Sequence, residues 1–266
     1  MLVFPQLATG ATAQYPIRRR RSERAILNLS QDGSVIALWD QTASQIKWDL
    51  RFGGLTDTEA ASLTSFYELC EGPLQPFLFL DPAGNLFAYS EDFTQPVWQA
   101  SSLLSLTPGI TDPYNTTRAT QVENSSLGAL TLTQTLAIPG FTPCALSVYL
   151  RSDSATEATI TRSDGSNVDS IVLQTGSAWT RFSLNTAFTS SISTSCDFSL
   201  ELPAGQTLDV FGFQAEPQPL PGTYVMTSAQ TGIFPNTRFD GNQIVVTATG
   251  PGESSVAISL LSPSAQ

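Results

Sequence analysis

The sequence predicts a mostly β protein. It reads as a small α+β β-sandwich domain with one helix, at about 57–71, interrupted by an inserted antiparallel β-sandwich or jelly roll. Three observations carry this. Short apolar runs recur along the 266 residues, with Gly (18) and Pro (17) scattered between them as turn punctuation. Only one stretch, 57–71, repeats apolar residues at helical spacing. Charged residues are 13% of the chain, against about 25% in typical domains. Ser, Thr, Gln and Asn take their place, as suits the solvent faces and turns of sheets.

The elements follow in order. Ala25–Leu29 and Ser34–Leu38 are apolar runs flanking Gln31-Asp32-Gly33, a hairpin signal. Gln45–Phe52 alternates, with Ile46, Trp48, Leu50 and Phe52 on one face and Lys47, Asp49 and Arg51 on the other. That is a half-buried strand, and Gly53-Gly54 is expected to end it. Thr56 and Glu59 form a capping box for the helix, with Asp57 and Glu59 at its positive end. Ala60, Leu63, Phe66, Tyr67 and Cys70 make its apolar stripe, and Gly72-Pro73 stops it. Phe77–Leu80 is a further strand, ending at Asp81-Pro82.

From about Tyr89 the texture changes to short β-type runs with Ser/Thr/Gly/Asn turns, among them CALSVYLRS, EATITRSDG, WTRFSLNTAF, CDFSLELPAG and LDVFGFQAE. Such a series indicates a sandwich or jelly roll. Residues 242–250 and 255–261 flank Gly250-Pro251-Gly252 as a hairpin with too little apolar surface to fold alone. The expected organisation is therefore one discontinuous domain, 1–88 plus 227–266, with 89–226 inserted between its halves.

The chain has no histidine. No Ser-His-Asp or Cys-His catalytic unit and no His-ligated zinc or iron site can be built. No hydrolase motif is present, and no Asp-x-Asp-x-Asp-Gly loop points to calcium. The expectation is a non-enzyme with no catalytic residues, no metal site and no cofactor. Cys70, Cys144 and Cys196 are an odd number without a Cys-x-x-Cys pair. They read as buried small hydrophobes of a protein made in a reducing cytoplasm, with a Cys144–Cys196 bridge as the alternative. The opening MLVFPQLATGATAQYPIRRRR places its basic residues after a short, Pro-broken apolar stretch. The expectation is no signal peptide and no membrane span. Net charge is −11, which argues against general or sequence-specific nucleic-acid binding.

Three segments carry a family resemblance. YPIRRRRSERAILNLSQDGSVIALWD, followed by WDLRFGGLTDTEAASLTSFYELCEGPLQPFLFLDP, resembles the N-terminal part of distal-tail-type proteins of long-tailed phages and prophages. NTRFDGNQIVVTATGPGESSVAISLL resembles their C-terminal hairpin. The middle resembles a carbohydrate-binding-like jelly roll common in phage structural proteins. The segments bearing that likeness are YSEDFTQPVW, LSVYLRS, WTRFSL and FGFQAEPQPLPGTYVMT. The resemblance implies a ring-forming tail-tip protein, a hexamer joining tail tube protein to baseplate hub proteins, with the inserted module projecting toward host-surface glycans. It implies location at the virion tail tip after assembly in the host cytoplasm. The alternative is a glycan-binding adhesin or fibre adaptor.

Two groups of residues stand out as candidates. Five of the twelve basic residues are Arg18, Arg19, Arg20, Arg21 and Arg24. They suit a subunit interface, where guanidinium groups bridge acidic patches; a solvated strand edge and a lumen-facing run are the competing readings. Tyr114 and Trp179 are the glycan-binding candidates, since aromatic faces stack on sugar rings and loops carry binding residues; sandwich core is the competing reading for Trp179, and a sugar platform the competing one for Trp98. Trp98, Trp39 and Trp48 read as core or interface.

Overall fold

The computed structural model describes residues 1–263, and all of their side chains except those of residues 24 and 39–43. Strand β1 (Arg18–Leu29) pairs antiparallel with β2 (Val35–Leu55). The expected hairpin is present. Asp32 accepts the Ser34 N–H at 3.0 Å, and Gly33 takes a φ of 82° that a residue with a Cβ adopts at a cost. In the expected strand 45–52, Trp48, Leu50 and Phe52 are buried and Arg51 is exposed. Two details differ from expectation. The runs at 34–38 and 45–52 belong to one 21-residue strand. Gly53-Gly54 does not end it: Gly54, at φ 62°, sits in a bulge where the partner register shifts, and pairing resumes at Leu55.

Helix α1 spans Asp57–Leu69, with the reciprocal Thr56–Glu59 capping box in place. It is two residues shorter than the expected 57–71, because Cys70 is the cap and Glu71 (φ 53°) and Gly72 (φ 66°) turn left-handed. Ala60, Leu63, Phe66 and Cys70 are buried as the stripe requires. Strand β3 (Phe77–Leu80) is buried along its whole length.

Ten strands follow: β4 (Gln99–Ala100), β5 (Leu104–Ile110), β6 (Ala119–Asn124), β7 (Leu130–Leu136), β8 (Cys144–Arg151), β9 (Thr156–Ser163), β10 (Val168–Thr175), β11 (Thr180–Thr186), β12 (Cys196–Leu202) and β13 (Thr207–Glu216). They form two five-stranded antiparallel sheets, β10-β9-β12-β7-β4 and β11-β8-β13-β6-β5. Alternate residues bury: Leu146, Val148 and Leu150 from β8, and Ala158, Ile160 and Arg162 from β9. Phe87 joins the sheets, meeting Phe198 of one at 5.7 Å and Phe213 of the other at 5.6 Å. Trp98 stacks on Phe87 at 5.3 Å and is core, as expected. This is the sandwich the turn spacing predicts.

The chain closes with β14 (Ile233–Phe239), β15 (Val245–Gly250) and β16 (Glu253–Pro263). Strand β16 lies between β2 and β14 in the order β1-β2-β16-β14-β3, with β15 paired to its far part. Phe234, Phe239, Val256, Ile258 and Leu260 join Trp48, Leu50, Phe66, Phe77 and Phe79 in one core. Trp48 sits 5.0 Å from Phe79 and 4.7 Å from Phe234.

The contacts divide the chain into two compact units. Unit 1 is Met1–Ala8, Thr12–Phe79 and Phe234 onward; unit 2 is Thr9–Ala11 and Leu80–Ile233. The divisions fall at 79/80 and 233/234, outside the 88/89 and 226/227 expected from texture. The reason lies in residues 81–88. Asn85 is buried and donates to the Phe213 and Val225 carbonyls (2.8 and 3.1 Å), while its Oδ1 accepts the Ala215 N–H at 3.2 Å. Gly232 exchanges backbone bonds with Asp81 and Asn85. Residues 85–86 are thus stitched to β13, and Gly232 is stitched to them.

All three cysteines are buried and unbridged, so the Cys144–Cys196 alternative is not realised. Burial pushes the Cys70 thiol up to about 11 and that of Cys144 up to about 12. The Trp39 side chain lies outside the described residues. Among the described residues no helix is long and apolar enough to cross a membrane.

Candidate functional site

The outward face of the β11-β8-β13-β6-β5 sheet brings Tyr149, Phe211, Tyr114 and Tyr224 together with Arg118, Arg151, Arg181 and Asp209. In β8, Tyr149 and Arg151 alternate with buried Val148 and Leu150 and point away from the core; Ser147 shares their side of the strand and is itself buried. Pairing then builds rows. Arg181 of β11 and Phe211 of β13 both lie opposite Tyr149. One row down, Asp209 lies opposite Arg151, and Gln121 opposite Asp209.

Side-chain contacts lock the rows. The Arg181 guanidinium lies 5.5 Å from the Tyr149 ring centre and donates to Ser147 Oγ (2.9 Å) and the Gly222 carbonyl (2.6 Å). Arg151 donates to Asp209 at 2.9 Å, and Gln121 reaches the other Asp209 oxygen at 3.4 Å. Beside this row a polar cleft of about 170 Å³ opens, lined by Gln121, Ser152, Asp153, Ser154, Gln206 and Asp209.

Two loops fold over one end of the face. In the first, Asp112 accepts the Tyr114 and Thr116 N–H groups at 2.7 and 3.1 Å, and Asn115 is left-handed at φ 60°. This turn holds Tyr114, half exposed, 5.8 Å from Phe211 and 6.4 Å from Tyr149. In the second, Tyr224 packs on Phe211 at 5.3 Å and donates to Glu91 at 3.1 Å. A Cβ at Gly212 (φ 64°) would stand 3.0 Å from the Tyr224 ring, so this close approach needs glycine. Arg118 ties the loops together, bonding Glu91 at 2.9 Å and Asp112 at 3.3 Å above Phe211.

Burial pushes Glu91 above the usual carboxylate range, against the opposing pull of Arg118 and Tyr224. Burial also works against ionisation of Asp112, yet the hydrogen bonds from Thr116 and Tyr114, with Arg118 beside it, hold its carboxyl below the ordinary value. Glu216 is raised by burial despite the Gln214 and Gly222 hydrogen bonds. These opposite shifts set a pH profile. Glu91 and Glu216 lie above 4.5, so in that window the folded chain holds more protons than the unfolded one. Stability rises as pH falls through it. Asp92 and Asp112 lie below 3.8, and their stability is lost as pH falls beneath that value. The melting temperature is expected to rise as pH falls toward 4.5, through the raised glutamates, and to drop as pH falls below about 3.8, through the lowered aspartates. A series of melts that declines steadily from pH 7 contradicts this.

The expected candidates fall as follows. Tyr114 is in the cluster. Trp179 is partly buried; its Nε1–H donates to the Thr111 carbonyl at 3.2 Å, at the start of the Tyr114 loop. One face of its ring is covered by Arg151 at 4.8 Å, so it props the loop rather than standing as an open platform on that side. Tyr149, Arg181, Arg118 and Tyr224 were not singled out from sequence. The alternation in LSVYLRS held the signal for Tyr149 and Arg151; nothing local held one for the others.

In unit 1, Arg18–Arg21 are all exposed and alternate along β1. Arg18 and Arg20 share a face with Asp49 and Lys47; Arg19 and Arg21 share the other with Trp48 and Ile46. Arg20 pairs with Asp49 at 2.7 Å and Arg21 with Glu23 at 3.1 Å. The run is therefore two half-patches and not one cluster. Arg18 also lines a groove of about 470 Å³ with Ile17, Asp49, Leu50 and Arg51. The Arg24 side chain lies outside the described residues. No group of three or more metal-ligating side chains occurs among the described residues.

No family model matches the chain, and no curated protein sequence does. Solved structures do. A family 61 carbohydrate-binding module, TmCBM61 in complex with β-1,4-galactotriose, is 13% identical with a TM-score of 0.39, covering 49% of this chain and 97% of its own. The CBM22-1 xylan-binding domain of Paenibacillus barcinonensis Xyn10C is 14% identical with a TM-score of 0.41, covering 50% and 93%. The enzymatically active domain of bacteriophage CBA120 tailspike protein 4 is 15% identical with a TM-score of 0.38, covering 52% of this chain and 21% of that one. At these identities and scores the likeness is one of β-sandwich fold alone.

Proposed function

We propose that the chain is a structural tail-tip protein of a phage or phage-like particle whose unit 2 binds saccharide without turnover. The binding surface is the outward face of the β11-β8-β13-β6-β5 sheet. Unit 1 is the assembly unit, forming with other copies a ring between tail tube and baseplate hub. The tail-tip reading is supported by the motifs around Trp48, α1 and the C-terminal hairpin.

The binding half is carried by one observation. Tyr149 is held in the middle of a sheet face between Arg181 and Phe211, with Tyr114 rising beside it. Aromatic faces take the C–H side of a sugar ring, while planar Arg, Asp and Gln groups meet pairs of hydroxyls. The Arg151–Asp209–Gln121 row and its cleft extend the same face with such groups.

The full chain, titrated calorimetrically against a panel of neutral and acidic oligosaccharides, should bind at least one. Tyr149→Ala and Arg181→Ala should each weaken that binding about tenfold or more, roughly 1.4 kcal/mol, and Tyr149→Phe far less. Absence of binding across the panel, or affinity unchanged by Tyr149→Ala, overturns the site. For the assembly half, particle images should show six copies around the tail axis; a trimer tied to a fibre would make the chain a fibre adaptor instead.

A further inference from the structure

Trp179 and Thr111 stand at opposite edges of one sheet. Trp179 immediately precedes β11, at one edge of the β11-β8-β13-β6-β5 sheet, and Thr111 immediately follows β5, at the other. At about 4.8 Å per strand, a flat sheet of five would hold those edges roughly 19 Å apart. Yet the Trp179 Nε1–H reaches the Thr111 carbonyl at 3.2 Å. One loop residue and one indole ring do not span the flat distance, so the outward face is curled and this bond bridges it from edge to edge. The middle strands lie beneath. The Trp179 ring covers Arg151 at 4.8 Å. Tyr114 stands 5.8 Å from Phe211, with its hydroxyl 3.4 Å from that of Tyr149.

One end of the curled face is also stopped. Beyond the Arg181–Tyr149–Phe211 row, the Gly222 peptide is clasped from both sides. Its carbonyl accepts from Arg181 at 2.6 Å, and its N–H donates to Glu216 at 2.9 Å. Tyr224 packs on Phe211 at 5.3 Å at the same end. The opposite end is open. There the Arg151–Asp209–Gln121 row runs into the polar cleft of about 170 Å³. That volume is well below the ~300–1,000 Å³ of pockets that enclose a whole ligand, and it suits a single sugar ring.

We propose that this bridged, one-ended face takes the terminus of a saccharide chain and excludes chain interiors. End recognition deepens the saccharide-binding reading above and rests on it. An internal segment has chain leaving it on both sides, so it must be laid in from above or run out at both ends. The Thr111–Trp179 bridge bars the first route, and the Gly222–Tyr224 strap bars the second. A terminal ring carries chain on one side alone. It enters through the cleft, where Asp209, Gln121 and Ser152 meet its hydroxyls, and it stops beneath Tyr114.

Calorimetric titration of the full chain tests this. The probes are β-1,4-galactan, β-1,4-xylan and polygalacturonate, each as a ladder of two to six units and as the parent polymer. Each ladder is used intact, with the reducing end reduced, and with the non-reducing end methylated. Blocking one of the two ends should weaken binding about tenfold or more, and copies bound per polymer chain should not grow with its length. Trp179→Ala removes the bridge; it should shrink the end-blocking penalty at least threefold and let copies per polymer chain rise with length. Trp179→Phe replaces it if the alanine variant loses the wild-type melting transition. If wild type binds end-blocked ladders as well as intact ones, or loads polymers in proportion to length, end recognition is overturned while saccharide binding stands. An end requirement undiminished in the folded Trp179 variant removes the bridge as its cause and overturns the proposal. If no probe binds, the saccharide reading falls and end recognition with it.

Discussion

Replacing Arg162 with Met is expected to destabilise unit 2 by about 3–5 kcal/mol. Arg162 lies in β9, faces the core and is wholly buried. Among the described residues no carboxylate pairs with it. Its guanidinium instead donates to four backbone carbonyls: Thr142 at 2.9 Å, Thr186 at 2.7 Å, Pro139 at 3.3 Å and Gly140 at 3.0 Å. The rings of Phe188 and Phe198 flank it at 5.1 and 5.6 Å. Two effects oppose each other on substitution. Losing a buried charge removes a desolvation cost of several kcal/mol. Leaving buried carbonyls without a donor costs about 1–3 kcal/mol each. With four carbonyls in the cage the second effect wins. At about 2–4 °C per kcal/mol for a unit of this size, the melting temperature should fall by roughly 10 °C. Calorimetry on Arg162→Met checks this, and a variant as stable as wild type would mean that water replaces the cage. The consequence reaches the binding face, because Thr142 and Thr186 adjoin β8 and β11, which carry Tyr149 and Arg181.

A chain stopped at Ile233 is expected to keep unit 2 folded and to lose unit 1 altogether. The cut removes β14, β15 and β16, and β16 lies inside the sheet, between β2 and β14. It also removes Phe234, Phe239, Val256, Ile258 and Leu260 from a shared core. At about 1.5–3 kcal/mol for each buried side chain, the loss is on the order of 10 kcal/mol, comparable with the entire stability of a domain. Trp48 would lose Phe234 from its side and Leu260 from the neighbouring strand. Limited proteolysis should degrade residues 12–79 rapidly and spare 80–233. Survival of a folded N-terminal segment would show that the returning strands are not needed. The test bears on the discontinuous organisation itself, since a unit complete within residues 1–79 would not need them.

The strands that could be read in advance were those with local signals. Period-two burial in 45–52, Asp-Gly at 32–33 and the Thr56–Glu59 box are all contained within a few residues, and physics acts on them at that range. The missed strands lacked such signals. Strand β5 breaks its Leu104–Leu106 alternation at Pro108-Gly109, and the Ile171-Val172-Leu173 run of β10 has no period of two and buries only its last residue. The units divide at 79/80 and 233/234 because Asn85 bonds β13, more than a hundred residues away, and Gly232 bonds Asp81 and Asn85.

The sequence by itself determined the mostly β class, the single helix, the need of the C-terminal hairpin for a partner sheet, and the lack of histidine chemistry. Those follow from composition and from periodicities of two and 3.6. Only the tertiary structure decided that Tyr149, Arg181, Phe211, Tyr114 and Tyr224 share one face. It also decided that residues 24–29 and 35–40 pair with each other beyond the reach of β16. The reason is the same in both cases. Register between strands far apart in the chain is set by the packing of whole sheets, and no local pattern records it.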